Sequence, residues 1–511
     1  MFRVLAVALF CLIPMLRAQP PAIDQNGVVN SASRIPSTLA GGALARGARV
    51  RVQGVRLSGS VTFKHGSESF KATIVSASPR VVEAVIPRDA PLGPAEVQVA
   101  NGDGVSAPFP ATIVAANPGL YSKNRLGWGP VQIRNEDVRK GSMENSIEPP
   151  VKVLLAATGV GDSGLPDVFV GGKRAKVISA RHTESLGDDE ISVEIPRSVA
   201  EGCFVPIYAQ HSGQPPSNFV TIAIRRGGGN CTAPPDFPIP VLSGHRAGMT
   251  ILSRVSMLPK SGRDSFIADE ALAAFVEKNS GPAISPLLLD PPAGTCTVYT
   301  GSYQSSFTLP SSISAGLLND LGERGFDIGA AMTVRRNGQT REIPRTPGAT
   351  GYYRARLGDS SGALRRQPLF LAPGDYDLIA PGFQTQLTMP EPITWSNRDE
   401  LAVIDRARDA TITWTPARAS QVILIVATNV DQFTTATAMM YCIANGKAGR
   451  FTIPAVMFAN FPKTYDVSGL PLNQLAIAAL NRQAPVPVKT PDLDVFFAGG
   501  MYVSSRSVGY R

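Results

Sequence analysis

VKVLLAATGVG (151–161), DVFVGGKRAKVISA (167–180), ISVEIP (191–196) and FVPIYAQHSGQPPSNFVTIAIR (204–225) follow one another closely in this chain of 511 residues. Each is a short run rich in β-branched residues, bounded by Gly, Pro, Asp or Ser. Runs of that length with that punctuation predict the strands of an antiparallel β-sandwich. A weaker copy lies upstream: ARVRVQGV (48–55), SVTFKHG (60–66), KATIVSASP (71–79), RVVEAVIP (80–87), AEVQVANGDG (95–104) and FPATIVAA (109–116). Arg49-Val50-Arg51-Val52 alternates polar with apolar, as a half-buried strand does.

The two copies share a text. Ile86-Pro87-Arg88 matches Ile195-Pro196-Arg197, and each is followed by Gly, a strand, a polar turn and a final strand. Two tandem copies of one sandwich is the simplest account. With its V-x-G, V-x-F strand, I-P step and G-P-x-x-V-x-V strand, the first copy resembles an IPT/TIG-type immunoglobulin-like domain. The pair carries Gly27-Val28-Val29-Asn30, Asn117-Pro118-Gly119-Leu120, Ala156-Ala157-Thr158-Gly159-Val160-Gly161, Val170-Gly171-Gly172 and Ser217-Asn218-Phe219-Val220-Thr221-Ile222. In these it is similar to an uncharacterised domain family of large secreted proteins of soil bacteria, which has no assigned activity. That resemblance implies a disulfide between Cys203 and Cys231. SVTFKHGSESFKATIVSAS departs from the family in lacking its glycine-rich strand turn.

Arg225-Arg226-Gly227-Gly228-Gly229-Asn230 reads as a linker. Beyond it two helical patterns are expected, 269–278 with Asp269 as N-cap and 312–323 ending before Gly325. The remainder returns to strands, among them TCTVYTGSY (295–303), QVILIVATNV (421–430) and DVFFAGGMYVSSRSVGYR (494–511). The L-x-P-G-x-Y-x-L stretch from Leu371 to Leu378 resembles the hairpin of carboxypeptidase-regulatory-type modules. The expected fold class is mostly β: tandem immunoglobulin-like sandwiches, then one or two β-rich modules with a few short helices. The domains follow as a leader at 1–18, sandwiches at 19–116 and 117–227, and β-rich modules at 231–390 and 391–511, with a boundary near Pro390. Gly 48 and Pro 43, without a collagen-like period, suit many short strands and tight turns.

Arg3, the apolar run 4–15 and Ala18 before Gln19 form a cleavable secretory signal pattern. The run is shorter than the roughly 20 residues a bilayer span needs. Removing the leader takes Cys11 with it and leaves Cys203, Cys231, Cys296 and Cys442, which in an oxidising compartment form disulfides with three possible connectivities. Proximity favours Cys203 with Cys231 and Cys296 with Cys442. The formal charge of +9 is dispersed, with no block of like charges interleaved with aromatics, which argues against nucleic acid as a partner. For an exported chain an anionic envelope polymer is the better electrostatic match.

Several motifs invite a catalytic or cofactor reading. Gly159-Val160-Gly161-Asp162-Ser163-Gly164 has dinucleotide-loop spacing, but the residues after it form a turn and a strand, whereas the phosphate needs a helix N-terminus. Gly161-Asp162-Ser163-Gly164 and Gly358-Asp359-Ser360-Ser361-Gly362 resemble a serine-protease nucleophile loop; that chemistry requires a histidine base, and His65, His182, His211 and His245 lie in no recognisable context for it. Asp162, Asp167 and Asp188 could meet as calcium ligands at one sandwich end, although 187–190 reads more simply as a turn before a strand. No catalytic residue, cofactor or metal is expected. Tyr121, Trp128 and Tyr208 are the candidate ligand-contact aromatics, with Tyr303, Tyr352 and Tyr353 downstream; Trp395 and Trp414 are expected in the core. The functional expectation is an exported, non-catalytic binding, adhesion or scaffold protein whose partner is an extracellular or envelope glycan or protein. The alternative is a secreted hydrolase of envelope or plant polymers with its site in 231–511.

Overall fold

A computed structural model describes residues 19–134, 136–137, 139–162, 164–231, 246–258, 266–277, 291–302, 324–360, 367–464, 473–481 and 493–511. The signal pattern, the expected helix at 312–323, Tyr303, Ser163 and His245 lie outside them. The described helical segments are 3-10 turns of three or four residues, and everything else regular is strand.

The first unit is a sandwich. One sheet runs Ala22–Asn30, Arg49–Val55, Val81–Val85, Thr73–Ala77; the other runs Leu44–Ala45, Phe109–Val114, Gly93–Asn101, Ser60–His65, Glu68–Lys71. Alternation decides which side chains face inward: Val50 and Val52 are fully buried between the half-exposed Arg49, Arg51 and Gln53. They meet Val61, Phe63, Val97 and Val99 from the opposite sheet.

The second unit is one seven-stranded sheet folded over its own core. Lys173–His182 makes the corner. Its first residues pair with Asp167–Val170, and from Lys176 on it pairs with Asp189–Ile195, with a bulge between Val177 and Ser179. Cys203 in Gly202–Gln210 is bonded to Cys231, which ties the linker back onto the sheet.

The third unit is built on a nine-stranded sheet. Its spine runs Thr295–Ser302, Ala436–Asn445, Gln421–Val430, Gln474–Asn481, Val495–Ser507, Arg246–Leu258, Phe266–Glu277. One face carries a four-stranded sheet of Ala331–Arg336, Gln339–Pro344, Gly374–Ala380 and Phe383–Met389, and also the three-stranded sheet around Trp395 and Trp414. Cys296 and Cys442 stand directly opposite each other on neighbouring strands and are bonded.

Two expectations are corrected here. Residues 269–277 are not helical but belong to the strand Phe266–Glu277, whose run of Ala, Leu and Phe is buried on both faces and so carries no helical stripe. The boundary near Pro390 does not divide two modules, because Arg246–Leu258 pairs in parallel with Val495–Ser507 along its length and Met389 packs in one core with Phe496.

The three units are pinned to one another by buried amides. Asn117 Nδ2 donates to the carbonyls of Gly41 and Ala43, and its backbone N–H donates to Gly159 O. Asn460 of the third unit accepts from Gly41 N–H at 2.7 Å and donates to Pro216 O at 3.2 Å, joining all three. Gly159 and Gly161 are left-handed, and a Cβ on either would strike the backbone of Asn117 or Ala115. Close approach of two sandwiches therefore explains these glycines, and the strand Asp167–Val170 follows them.

Candidate functional site

Tyr121 and Tyr208 do not form an exposed aromatic platform. The Tyr121 ring is 2% exposed, with its hydroxyl donating to Asp188 Oδ1 at 3.2 Å, and burial pushes that phenol up. Tyr208 is pushed up to about 12 by burial; it lies between Phe169 and Phe219, where the second unit packs on the third. Trp395 and Trp414 are core, each with its indole N–H bonded, to Asn397 and to Gly446 O. Trp128 alone of the three candidate residues keeps part of its ring accessible, with its plane edge-on to Tyr299 at 6.2 Å.

Trp128 opens onto a cleft of about 200 Å³ at the meeting point of the three units. Arg34, Arg51 and Gln53 come from the first unit, Arg125 and Leu126 from the second, and residues 300–302 from the third. Wider clefts of about 580 and 520 Å³ elsewhere on the described surface have no aromatic side chain in their walls.

The loop that carries Arg125 and Trp128 is held from below. Asn218 accepts from Leu120 N–H and donates to Leu120 O and Gly127 O, all within 2.9 Å. Ser122 Oγ accepts from Gly127 N–H, and Arg34 Nη2 donates to Arg125 O at 3.0 Å. Asn26, on the opposite wall, donates to Thr434 O, and Ser302 and Thr435 share a hydroxyl contact of 3.0 Å. Asn26, Arg34, Arg125 and Thr435 all have left-handed backbones, with φ between 58° and 59°. Such conformations cost roughly 1–2 kcal/mol each for residues with a Cβ, and here they gather along one seam.

Electrostatically the cleft is over-supplied with cations. Arg51 Nη1 reaches Glu83 at 3.4 Å, a carboxylate that also serves Arg49. Arg34 and Arg125 have no carboxylate partner among the described residues; the Arg125 guanidinium lies over the Tyr121 ring, 4.6 Å from its centre. Burial, and then the charge of Arg51, hold Arg34 down at about 10. Arg51 Nε is out of water with no acceptor among the described residues. The side chains of Gln53 and Thr300 make no protein hydrogen bond among the described residues.

The sequence motifs resolve differently. Asp162, Asp167 and Asp188 do not converge on a cation site: they pair with His182, with Arg174, and with Arg49 and Arg134. No group of three metal-ligating side chains gathers among the described residues. Ser360 accepts from Ile267 N–H at 3.0 Å and touches no described histidine. His65 and His211 each bond a backbone carbonyl. His182 places Nδ1 2.6 Å from Asp189 and Nε2 2.8 Å from Asp162, so both ring nitrogens face carboxylates and both must donate. Burial opposes the charged ring, but these two bonds outweigh it and raise the His182 pKa. Protonation therefore stabilises the fold, fully below the ordinary value of ~6.5 and less as pH climbs through the raised value. Replacing His182 with glutamine is accordingly expected to lower thermal stability most at about pH 5 and least at about pH 9. Melting curves across that range provide the check, and a gap that widens toward alkaline pH would contradict the assignment.

No family model and no curated protein matches the chain. Among solved structures, the Bacteroides ovatus mixed-linkage glucan utilization locus protein SGBP-B, in complex with a mixed-linkage heptasaccharide, is 12% identical with a TM-score of 0.21, over 62% of this chain and 71% of that one. Titin Ig tandem domains are 14% identical with a TM-score of 0.15, over 36% of this chain and 91% of that one. Tandem Ig repeats of Dlar are 16% identical with a TM-score of 0.15, over 41% and 100%. The chain itself is β-rich, begins with tandem sandwiches, carries two disulfides, and among its described residues has no helix long and apolar enough to cross a membrane.

Proposed function

We propose that this chain is an exported, non-catalytic recognition protein of the cell surface or extracellular space, that its first two units are IPT/TIG-type sandwiches, and that it grips a glycan in the cleft at the junction of its three units. The observation that carries the reading is the cleft's wall. A part-exposed indole faces one space with the Gln53 amide and the Thr300 hydroxyl, which have no hydrogen-bond partner among the described residues; the indole's loop is held by the buried Asn218, and left-handed residues gather at the cleft's edge. An indole face covers the C–H side of a sugar ring while amides and hydroxyls meet its rim. Strained backbone that persists only where its surroundings over-determine it is a feature of ligand clamps.

The test is a glycan and envelope-fragment binding screen of the full chain, beside the Trp128→Ala variant. The expected result is saturable binding that falls about 5- to 150-fold in the variant, the equivalent of the 1–3 kcal/mol that removing an aromatic stacking partner costs for nucleobases. Binding unchanged by Trp128→Ala would place recognition elsewhere. Degradation of a bound polymer by the intact chain would favour the hydrolase reading instead.

A further inference from the structure

We infer that the cleft takes an acidic sugar residue, with the ring carboxylate of a hexuronate held by Arg51 and Arg125. This rests on the cleft being a glycan site and names its ligand class. Three guanidinium groups line a space of about 200 Å³, and Glu83, the carboxylate paired with Arg51, is shared with Arg49. Like charges lining one space, two of them, Arg34 and Arg125, without a carboxylate partner among the described residues, leave an electrostatic deficit. A bound anion removes it, and the planar guanidinium fork matches the two oxygens of a carboxylate.

Size and the rest of the lining narrow the class further. At roughly 30 Å³ per water, the space equals about seven waters, enough for one sugar residue and too small for a long stretch of polymer. Gln53 and Thr300 supply one amide and one hydroxyl for ring hydroxyls, and Trp128 supplies the apolar face. A bare phosphate would use the arginines and leave these three idle. Arg125 is the residue to test because its guanidinium lies over the Tyr121 ring and forms no ion pair among the described residues.

The experiment titrates the full chain with a galacturonate oligosaccharide, its neutral galactose counterpart, and inorganic phosphate, each with the unmodified protein and with Arg125→Gln. The acidic oligosaccharide is expected to bind tightest. Its affinity is expected to fall about 10- to 100-fold in the variant, as loss of one charge-assisted contact implies, and to weaken as salt rises. Equal binding of acidic and neutral sugars, both lost with Trp128→Ala, would leave the glycan site standing and overturn the acidic assignment. Phosphate displacing the sugar with equal affinity would likewise overturn it in favour of a simple anion site. If neither sugar binds, the glycan reading itself falls.

Discussion

Asp269→Ala is expected to destabilise the third unit by about 3–5 kcal/mol, the cost of removing one partner of a buried ion pair. Asp269 is 0% exposed on Phe266–Glu277, toward one side of the nine-stranded sheet. Arg254, directly across from it on the neighbouring strand, donates through Nε at 2.7 Å and Nη2 at 2.9 Å. The backbone N–H groups of Phe370 and Leu371 donate to the same carboxylate at 2.6 and 2.7 Å. One side chain thus fastens the segment leading into Gly374–Ala380 of the four-stranded sheet to the strand Phe266–Glu277. Alanine would leave two buried amides and the part-buried Arg254 guanidinium without their acceptor. Arg254→Met added to Asp269→Ala should recover part of the loss, because the stranded cation disappears. Chemical denaturation followed by tryptophan fluorescence reads this unit directly, since Trp395 and Trp414 are two of the chain's three tryptophans. A loss below about 1 kcal/mol would mean that the carboxylate is no clamp.

Removing the Cys296–Cys442 bond by a double alanine substitution is expected to cost about 5 kcal/mol, and removing Cys203–Cys231 about 3.5 kcal/mol. The difference comes from the unfolded chain. The first bond spans a sequence separation of 146 and the second 28, so the first restricts a much larger loop. Both bonds are buried, which makes their local packing losses comparable. Denaturation midpoints of the two double variants against the oxidised parent decide the ranking. Equal losses, or a larger loss at Cys203–Cys231, would show that local strain rather than loop entropy governs these bonds.

The sandwiches were legible because their strands are half-buried. Arg49–Val55 alternates outward arginine and glutamine with inward valine, and that period of two is written in the text. In the third unit the signal fades. Arg246–Leu258, Phe266–Glu277, Ala436–Asn445 and Gln474–Asn481 are strands rich in Ala, Leu and Met, residues that favour helices in isolation. Both their faces are covered, so no alternation survives, and sheet pairing overrides propensity. The cleft was legible in one residue, Trp128. Its arginines stand at 34, 51 and 125 and its far wall at 300, so only folding brings them together. The motif asparagines Asn30, Asn117 and Asn218 have no role assigned from the sequence; their side chains hold the junction loops from inside.

The parallel pairing of Arg246–Leu258 with Val495–Ser507 also sets an order of events in time. These two strands lie side by side at the centre of the sheet, yet more than two hundred residues are made between them. Each sandwich can close as soon as its own hundred or so residues have emerged, whereas the third unit must wait, its widest sheet split into two unjoined halves, until the last strand arrives. Contacts of such long range form slowly. The first two units therefore fold as finished bodies ahead of the third and present it with prebuilt surfaces, Tyr208 and Phe219 among them, on which the late sheet can assemble.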